Sequence, residues 1–446
     1  MQASRRKFVG GIAASSLVRS VVANDAKREI EVLLPRCRVP LSFIIDDSTC
    51  LVNMGKFCMP QFAATYPDRK SYQQPWQEWP DEIPDSFVRQ FGTWCAENGV
   101  KGKYSIVPYP ACVGWVDRVI PGWTQKQLRD SLALVRDLMV PNWDIHPEMI
   151  THTRVIDLTT GRPFQDYSPA HMENSYPQQD VSVDYLASYL AYALRILKNC
   201  DLPCEGITTP GGFGNRVKGK LPLAAFQAVR DVYGTDLPHY FKYIADGDES
   251  AVPVAEAISY SASGVPECCM NVLAGTGDWF GGWEGTVESQ PDLYAEMDAK
   301  SGRMVELIER EEPAIMLCHW PGMYCNGSLS GFRAFQRVVT SLNRRFADKT
   351  QWMKVSEIGR YYAARQFTKF SLAGSSIQID APWSCKDFTF RITGQASKVI
   401  LRSGEDTLLR EVSTVESLQP GTFFQDQSSL TVCVDLPKGK STVELL

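Results

Sequence analysis

Between about residues 40 and 365, the chain alternates between short apolar runs and stretches in which apolar residues recur every three or four positions. A short continuous apolar run is typical of a buried strand, whereas the longer recurrence is typical of a helix with one buried face. The segment 40–45 predicts the first strand. The segment 84–98 predicts the first helix, because Phe87 and Phe91 fall on the same face.

The same alternation continues along this part of the chain. Further helices are predicted near residues 124–139, 183–197, 221–232 and 293–309, and further strands near 103–107, 143–151, 206–209, 240–244, 270–273 and 314–319. Repeated strand–helix units imply a parallel sheet, and about seven of them favour a barrel. An open doubly wound sheet is the main alternative, but no glycine-rich phosphate loop follows the first strand. The predicted fold class is therefore α/β, as an irregular (β/α)7-type barrel.

From residue 366 onward, the pattern changes to short, partly alternating strands separated by turn residues. The segments 376–380, 388–392 and 430–434 are clear examples. Short alternating strands at close spacing are typical of a β-sandwich. Residues 366–446 are therefore predicted to form a small C-terminal β-sandwich with an accessory or carbohydrate-binding role, and residues 24–365 to form the barrel.

Composition and charge narrow the class of protein. The 446 residues are 44% hydrophobic and 22% charged, which is typical of a soluble globular protein and excludes disordered and fibrous classes. The net charge of −5, with no basic block, argues against nucleic acid as a partner. No segment approaches the run of about 20 apolar residues that a membrane span needs.

The first residues resemble a targeting segment. Ser4-Arg5-Arg6-Lys7-Phe8 is a twin-arginine pattern, followed by a weakly apolar stretch and small residues up to Ala23. We predict that residues 1–23 are a signal peptide read by the twin-arginine export machinery of a bacterium. The mature protein is then expected in the periplasm or outside the cell. An ordinary basic N-terminus is the alternative.

The cysteines are dispersed, and their number, 13, is odd. No C-x2-C pair occurs, which argues against a structural zinc site. Cys200 and Cys204 have a spacing that admits a disulfide, and one or two disulfides are compatible with an exported protein. Most of the thiols are expected to fill space in the core.

Ionisable residues lie at the predicted ends of several strands. Asp46 and Asp47 follow the first strand, His152 ends the third, Asp278 follows the strand near residue 273, and His319 ends the last. The reacting residues of a parallel barrel collect at the carboxyl ends of its strands. A metal that activates water needs two or three histidine or carboxylate ligands, and hydrolysis also needs a base and an acid. The pattern therefore predicts a metal-assisted hydrolytic site.

Each of these residues also has a purely structural interpretation. Asp46 and Asp47 would serve equally as a turn or a helix N-cap pair. His319 would serve as a hydrogen-bonded residue at a barrel end, and Asp278 as part of a glycine-rich turn. His239, beside a proline at a strand start, is predicted to be structural.

Five segments resemble, in order, the motifs of the polysaccharide deacetylase family, carbohydrate esterase family 4. They are 44–48 (IIDDS), 148–153 (EMITHT), 208–212 (TTPGG), 277–279 (GDW) and 317–319 (LCH). The ordered set covers roughly residues 40 to 360. The resemblance implies a metal-dependent hydrolase that removes acetyl groups from N- or O-acetylated glycans.

The resemblance also implies roles for individual positions. Asp46 would be the general base and His319 the acid that protonates the leaving group, with Asp278 orienting His319. Asp47 and His152 would be metal ligands. Metal polarisation with a paired acid and base suits hydrolysis of an unreactive acetamide.

The resemblance further implies a cofactor and substrate contacts. The cofactor would be a divalent metal, with zinc as first choice and cobalt, nickel or manganese as alternatives. Trp279 and Leu317 would line the acetyl pocket, and Pro210 and Gly211 would contact substrate. The partner would be an acetylated polysaccharide or oligosaccharide.

The chain departs from the family pattern at two important positions. Ile156 stands where the second motif has a further histidine ligand, and Thr208 where the third motif has an arginine. A third ligand must then come from elsewhere. His171 is the first candidate, because it lies in a segment predicted to be a loop over the same barrel face, followed by Asp157 and His146.

These departures keep two other functions open. The missing histidine and arginine are compatible with a catalytically silent relative that binds glycans on the same barrel. The unusual insertion between Ser48 and Pro84 is compatible with a hydrolase of a non-sugar amide.

Overall fold

The computed structural model describes residues 29–446, which form two compact units. One unit comprises residues 38–366, and the other comprises residues 29–37 together with 367–446. Residues 29–37, assigned to the barrel from sequence, thus belong to the C-terminal unit, because strand β1 (Ile30–Val32) pairs there with residues 390–392. The predicted signal peptide, residues 1–23, lies outside the described residues.

The larger unit is α/β. Its strands are β2 (Val39–Asp46), β3 (Gly102–Ser105), β4 (Trp143–His146), β5 (Ile156–Asp157), β6 (Arg162–Pro163), β7 (Gly206–Thr208), β8 (His239–Phe241), β9 (Val254–Tyr260), β10 (Pro266–Asn271), β11 (Ala314–His319) and β12 (Thr350–Trp352). Its helices are α1 (Met54–Thr65), α2 (Asp85–Glu97), α3 (Gln125–Leu134), α4 (Val183–Asn199), α5 (Leu221–Tyr233), α6 (Arg303–Glu309), α7 (Trp320–Tyr324), α8 (Ser330–Phe346) and α9 (Val355–Phe367).

Parallel strands of this unit form two sheets. One has the order β11-β2-β3-β4, with β12 also beside β2, and the other has the order β7-β8-β10-β9. Only β9 is antiparallel to its neighbour within these two sheets. Single bridges, Glu148 with Thr208 and Asp278 with Leu317, connect the sheets on both sides. The α/β prediction is confirmed, but the described strands form two arcs linked by single bridges rather than one continuous closed sheet.

The central strand β2 shows why this sequence forms the core. All of its residues are buried. β3 lies on one side of β2, and β11 and β12 pair with it as well, while other side chains pack on its faces. Phe43 stacks on Phe335 of α8 at 4.5 Å between ring centroids. Gly102 in β3 is required here, since a Cβ at that position would lie 2.0 Å from the carbonyl oxygen of Phe43.

Two predicted elements are shorter than the hydrophobic pattern suggests. The predicted helix 293–309 is a helix only over α6, because Ala299 (φ 51°) and Gly302 (φ 109°) adopt left-handed backbone conformations that end helical geometry. The predicted strand 143–151 ends at His146, and the chain then turns through Met149 (φ 52°). Both elements end because the backbone changes conformation, while the spacing of apolar residues continues, so the hydrophobic pattern gives no sign of where they end.

The smaller unit contains two five-stranded sheets, in agreement with the sandwich-like pattern of the sequence. Besides β1, the strands are β13 (Lys369–Ala373), β14 (Ser376–Ala381), β15 (Cys385–Thr393), β16 (Val399–Ser403), β17 (Glu405–Leu408), β18 (Arg410–Val412), β19 (Thr422–Gln425), β20 (Ser429–Leu436) and β21 (Gly439–Leu445). The orders of the two sheets are β1-β15-β20-β19-β18 and β13-β14-β21-β16-β17. Phe370 of one sheet contacts Phe388 and Phe390 of the other, with ring centroids 6.3 and 5.6 Å apart.

All 13 cysteines fall within residues 29–446, and all of them are free thiols. The disulfide considered for Cys200 and Cys204 is therefore not formed, although both side chains are buried. Within the same residues, no helix has both the length and the apolar character to cross a membrane.

Candidate active site

Asp47, Glu148 and His152 come together just beyond the carboxyl ends of β2 and β4. Nε2 of His152 lies 2.8 Å from Oδ1 of Asp47 and 3.3 Å from Oε1 of Glu148. The backbone N–H of Asp47 donates to Oε2 of Glu148 at 2.7 Å, which leaves Oε1 of Glu148 directed at the other two groups. One ligand atom from each residue lies within 4.8 Å of the others.

The backbone of this cluster is strained. Asp47 (φ 59°), Met149 (φ 52°) and His152 (φ 64°) all adopt the left-handed conformation, which residues other than glycine rarely occupy. Such strain persists only where the surrounding structure imposes it, and it is concentrated at functional sites. The left-handed turns bring the three side chains to one point.

The cluster fits a divalent cation. Oδ1 of Asp47 is buried and accepts no hydrogen bond of regular geometry, although His152 Nε2 is close. Burial alone lowers the pKa of His152, but Asp47, with smaller contributions from Cys58 and Glu148, outweighs burial and raises that pKa well above its usual value. Two carboxylates and an imidazole are ligands suited to zinc, cobalt, nickel or manganese.

The structure does not bring the expected third ligand, His171, to this cluster. Nδ1 of His171 lies 3.0 Å from Oδ2 of Asp166, its ring stacks on Phe164 at 4.4 Å, and a third of its side chain is exposed. Asp157 instead accepts a hydrogen bond from the backbone N–H of Thr159. The third alternative, His146, is fully buried against another histidine. Glu148 takes the place that these three candidates were expected to fill.

Glu148 was missed for an identifiable reason. It lies four residues before His152, within the segment that resembles the second family motif, whereas the family's further histidine is expected four residues after it, at Ile156. The only sign of its role in the sequence is that an acidic residue, Glu148, precedes the predicted ligand His152 by four positions. Only the left-handed turn at Met149 brings Glu148 and His152 together.

Asp46, the predicted base, pairs with a buried lysine. Nζ of Lys103 lies 2.5 Å from Oδ1 of Asp46 and also donates to Oγ of Ser105 (2.7 Å) and the carbonyl of Ile45 (3.0 Å). Burial and the charge of Glu148 raise the pKa of Asp46, while Lys103 lowers it. Lys103 was not predicted, because a lysine inside a short strand gives no sequence signal of a charge partner.

His319, the predicted acid, forms a pair with Asp278. Its Nδ1 lies 2.7 Å from Oδ2 of Asp278, and its backbone N–H donates to the same oxygen at 3.2 Å. Burial alone would lower the pKa of His319, but the hydrogen bond to Asp278 and nearby carboxylates raise it to about 9. His319 is also the register partner of Asp46 on adjacent parallel strands. A protonated imidazole thus lies beside the predicted base.

The predicted substrate contacts occupy two regions. The hydroxyl of Tyr294 accepts from the backbone N–H of Trp279 and donates to the carbonyl of Leu317, both at 2.8 Å, which ties these two residues together. The side chain of Leu317 is buried. Pro210 and Gly211 lie in the turn after β7. The role of these four residues in substrate binding stays a prediction.

Two aromatic residues of the 48–84 insertion and one from the segment after β10 form an aromatic cluster beside His152. Phe62 of α1 contacts the His152 ring edge-on at 6.3 Å. Tyr72 stacks on Phe62 at 5.1 Å, and Trp283 contacts Phe62 at 5.5 Å. Phe62 is buried, whereas Tyr72 and Trp283 are partly exposed. We define Phe62, Tyr72 and Trp283 as the aromatic wall.

Comparisons with known proteins identify no family. No family model and no curated protein matches the chain. A candidate glycoside hydrolase/deacetylase from Parabacteroides distasonis aligns at 9% identity and a TM-score of 0.39, over 84% of this chain and 85% of that one. The catalytic domain of GH30 xylanase C from Talaromyces cellulolyticus aligns at 9% identity and 0.29, over 94% and 99%. A Thermotoga maritima alpha-fucosidase aligns at 10% identity and 0.27, over 93% and 97%. Similarity this low is no ground for assigning a shared fold or activity.

Proposed function

We propose that this protein is a metal-dependent hydrolase that removes acetyl groups from an N- or O-acetylated glycan. The observation that carries the proposal is the convergence of Asp47, Glu148 and His152 directly beside Asp46. His319, the register partner of Asp46, completes the set. Three ligand atoms, a base and a protonated imidazole at one edge of a parallel sheet are what hydrolysis of an unreactive acyl bond needs.

Asp47, Glu148 and His152 would hold the divalent ion, with zinc as first choice. Bound there, the ion supplies Lewis-acid chemistry that polarises the acetyl carbonyl. The hydrogen bond from Asp47 N–H to Oε2 of Glu148 fixes that carboxylate, so its Oε1 stays aligned with His152. The protein's contribution is thus a preformed ligand set in a buried setting.

Proton transfer would be divided between two side chains. Asp46 takes a proton from the attacking water, and Lys103 holds the carboxylate in position through its hydrogen bond to Oδ1. The oxygen of that water bonds to the carbonyl carbon, and the carbon–nitrogen or carbon–oxygen bond then breaks. His319, kept protonated by Asp278, donates a proton to the leaving amine or alcohol, so acetate and the deacetylated glycan are the products.

Two observations favour an active enzyme over a silent glycan-binding relative. That alternative depends on the histidine absent at Ile156 and the arginine absent at Thr208. Glu148 offers a third ligand atom from another position, and Lys103 provides a buried cation beside Asp46. A third ligand atom and a buried positive charge are therefore available from residues other than the two that are missing.

The aromatic wall supports a second candidate, hydrolysis of a non-sugar amide. Tyr72 and Trp283, which are partly exposed and pack on the buried Phe62, present apolar rings near His152 that suit an aromatic or acyl substituent as well as a sugar ring. Parallel assays on acetylated chito-oligosaccharides, acetylated xylan and N-acetyl arylamines distinguish the two substrate classes. We also propose export through the twin-arginine machinery to the periplasm or the exterior, as the sequence of residues 1–23 predicts.

The metal content of the exported protein tests the proposal. We expect about one equivalent of a divalent transition metal and release of acetate from an acetylated glycan, with both lost in the Asp47→Ala, His152→Ala double variant. His171→Ala is the matched control and should retain metal and activity. A parent protein that holds no metal, and stays inactive after addition of zinc, cobalt, nickel or manganese, would contradict the proposal.

A further inference from the structure

Glu173 is a fully buried carboxylate to which no step of the proposed reaction assigns a role. It accepts hydrogen bonds from three successive backbone N–H groups: Ile150 (3.2 Å), Thr151 (3.0 Å) and His152 (2.6 Å). The hydroxyl of Tyr189 donates to the same carboxylate at 2.5 Å. Four donors directed at one carboxylate, three of them from adjacent residues, make an unusually specific contact.

The N–H groups of this segment have their acceptors in Glu173, whereas the carbonyls of Ile150 and Thr151 accept from the backbone N–H groups of Tyr109 (2.8 Å) and Ala111 (3.0 Å). Residues 149–152 lie outside the strands, so no neighbouring strand satisfies their N–H groups. Met149 and His152 both have left-handed backbone conformations, which the free chain disfavours. The N–H of Glu173 in turn donates to the carbonyl of Thr153 at 2.7 Å, so Glu173 binds the segment from two directions. Glu173 is therefore the acceptor that fixes the N–H side of the segment, including the N–H of His152.

We propose that Glu173 is a positioning residue of the metal site, which sets the backbone of His152 so that its imidazole meets Asp47 and Glu148. The inference rests on the proposed function and deepens it. Glu173 acts through the main chain of His152 and is not itself a ligand in the Asp47–Glu148–His152 cluster. An isosteric amide cannot replace it, because glutamine has one acceptor oxygen and would direct its own N–H groups at backbone donors.

A cobalt titration of the metal-free, full-length exported protein tests this role. We compare the parent with Glu173→Gln and measure the Co²⁺ dissociation constant, the visible absorption of the bound Co²⁺ and the thermal unfolding midpoint. Loss of a residue that orients a ligand typically lowers metal affinity by about 10- to 100-fold, and we expect a loss in that range with an altered Co²⁺ spectrum. The spectrum reports ligand geometry, which general destabilisation would not change.

Glu256→Gln is the matched control. Glu256 lies in the same unit and accepts hydrogen bonds from the hydroxyl of Tyr240 (2.6 Å) and the amide of Asn271 (3.2 Å). Neither of these donors belongs to the segment that carries His152. We expect this variant to lose stability but to keep the parental Co²⁺ affinity and spectrum.

The outcomes separate the two proposals. A parent that binds Co²⁺ while Glu173→Gln binds it equally well, with the same spectrum, overturns the role of Glu173 and leaves the proposed function intact. A parent that binds no Co²⁺ overturns both. If Glu173→Gln does not fold, Glu173→Asp serves instead, because it keeps the charge but withdraws the acceptors by one methylene. Weaker binding in that variant supports the role of Glu173, and parental binding overturns it.

Discussion

Lys103 and Asp46 form a buried ion pair, with Nζ 2.5 Å from Oδ1 and side-chain exposures of 0% and 5%. A buried charge is tolerated only when it is paired and hydrogen-bonded, and Lys103 also satisfies Ser105 and the carbonyl of Ile45. The pair lies on neighbouring strands, β2 and β3. It links the stability of the sheet to the ionised state of the predicted base.

Replacing Lys103 by methionine should therefore destabilise the protein and inactivate it. Asp46 would be left as an uncompensated buried carboxylate, which costs about 3–5 kcal/mol in the free energy of unfolding. Urea unfolding and acetate release measure the two effects. The Lys103→Met, Asp46→Leu double variant should recover most of the stability but none of the activity. Parental stability in the single variant would contradict the prediction.

Removal of Glu148 should abolish tight metal binding. In Glu148→Ala, the cluster loses one ligand atom and the backbone N–H of Asp47 loses its acceptor. Loss of a residue that only orients a metal ligand typically lowers metal affinity by about 10- to 100-fold. Because Glu148 is proposed as a ligand itself, we expect a loss at least as large. Competition with a chromogenic chelator gives the affinity. His171→Ala, the matched control, should bind metal like the parent, and loss of metal from this control would restore His171 as a ligand candidate.

The proposed acetyl-releasing activity should fall at high pH because of His319. An acid donates only while it is protonated, and the pKa of His319 is raised to about 9, so activity should persist to about pH 9 and decline above it. Asp278→Asn removes the hydrogen bond and charge that favour the protonated ring. The alkaline limb of kcat should then move to lower pH by about one unit or more. Asp292→Asn, at an exposed ion pair with Arg337, should leave the limb unchanged. An unchanged limb in Asp278→Asn would contradict the assignment of this limb to His319 and its partner Asp278.

Acid should destabilise the fold through His239. Burial lowers the pKa of His239 from 6.5 to about 4, and its Nε2 lies 2.8 Å from Nε2 of His146. Between these two pH values, the unfolded chain binds a proton that the folded protein does not, so stability falls as the pH drops from 6.5 towards 4. The loss is about 1.4 kcal/mol per pH unit for each such group. Urea unfolding at a series of pH values should show a shallower pH dependence for His239→Gln. His171→Ala, which alters a partly exposed histidine, should keep the parental slope.

Local patterns account for the positions of the main site residues along the chain. Asp46 and Asp47 directly follow a run of apolar residues, and His319 ends another, so burial of the strand brings them to a sheet end. The helices α2, α4 and α5 were predicted to within about two residues, because their apolar positions recur at helical spacing. Helix α8 was not predicted, although its buried face is apolar.

Contacts between residues far apart in the chain could not be inferred from local patterns. The pairing of β1 with β15 joins residues more than 350 positions apart, and no local pattern specifies it. His171 and Glu148 are both plausible ligands by residue type, and only the left-handed turn at Met149 decides between them. Glu173, which holds that turn, lies 21 residues beyond His152.

By itself, the sequence determined the α/β alternation, most of the helices and strands that compose it, and which ionisable groups follow the strands, because burial periodicity is a property of neighbouring residues. The tertiary structure decided which of those groups meet. Lys103 reaches Asp46, and Glu148 reaches His152, through strand pairing and strained turns that depend on the whole fold. The candidate metal site needs Asp47 within a few ångströms of Glu148 and His152, about a hundred positions further along the chain, and only the packed chain sets such separations.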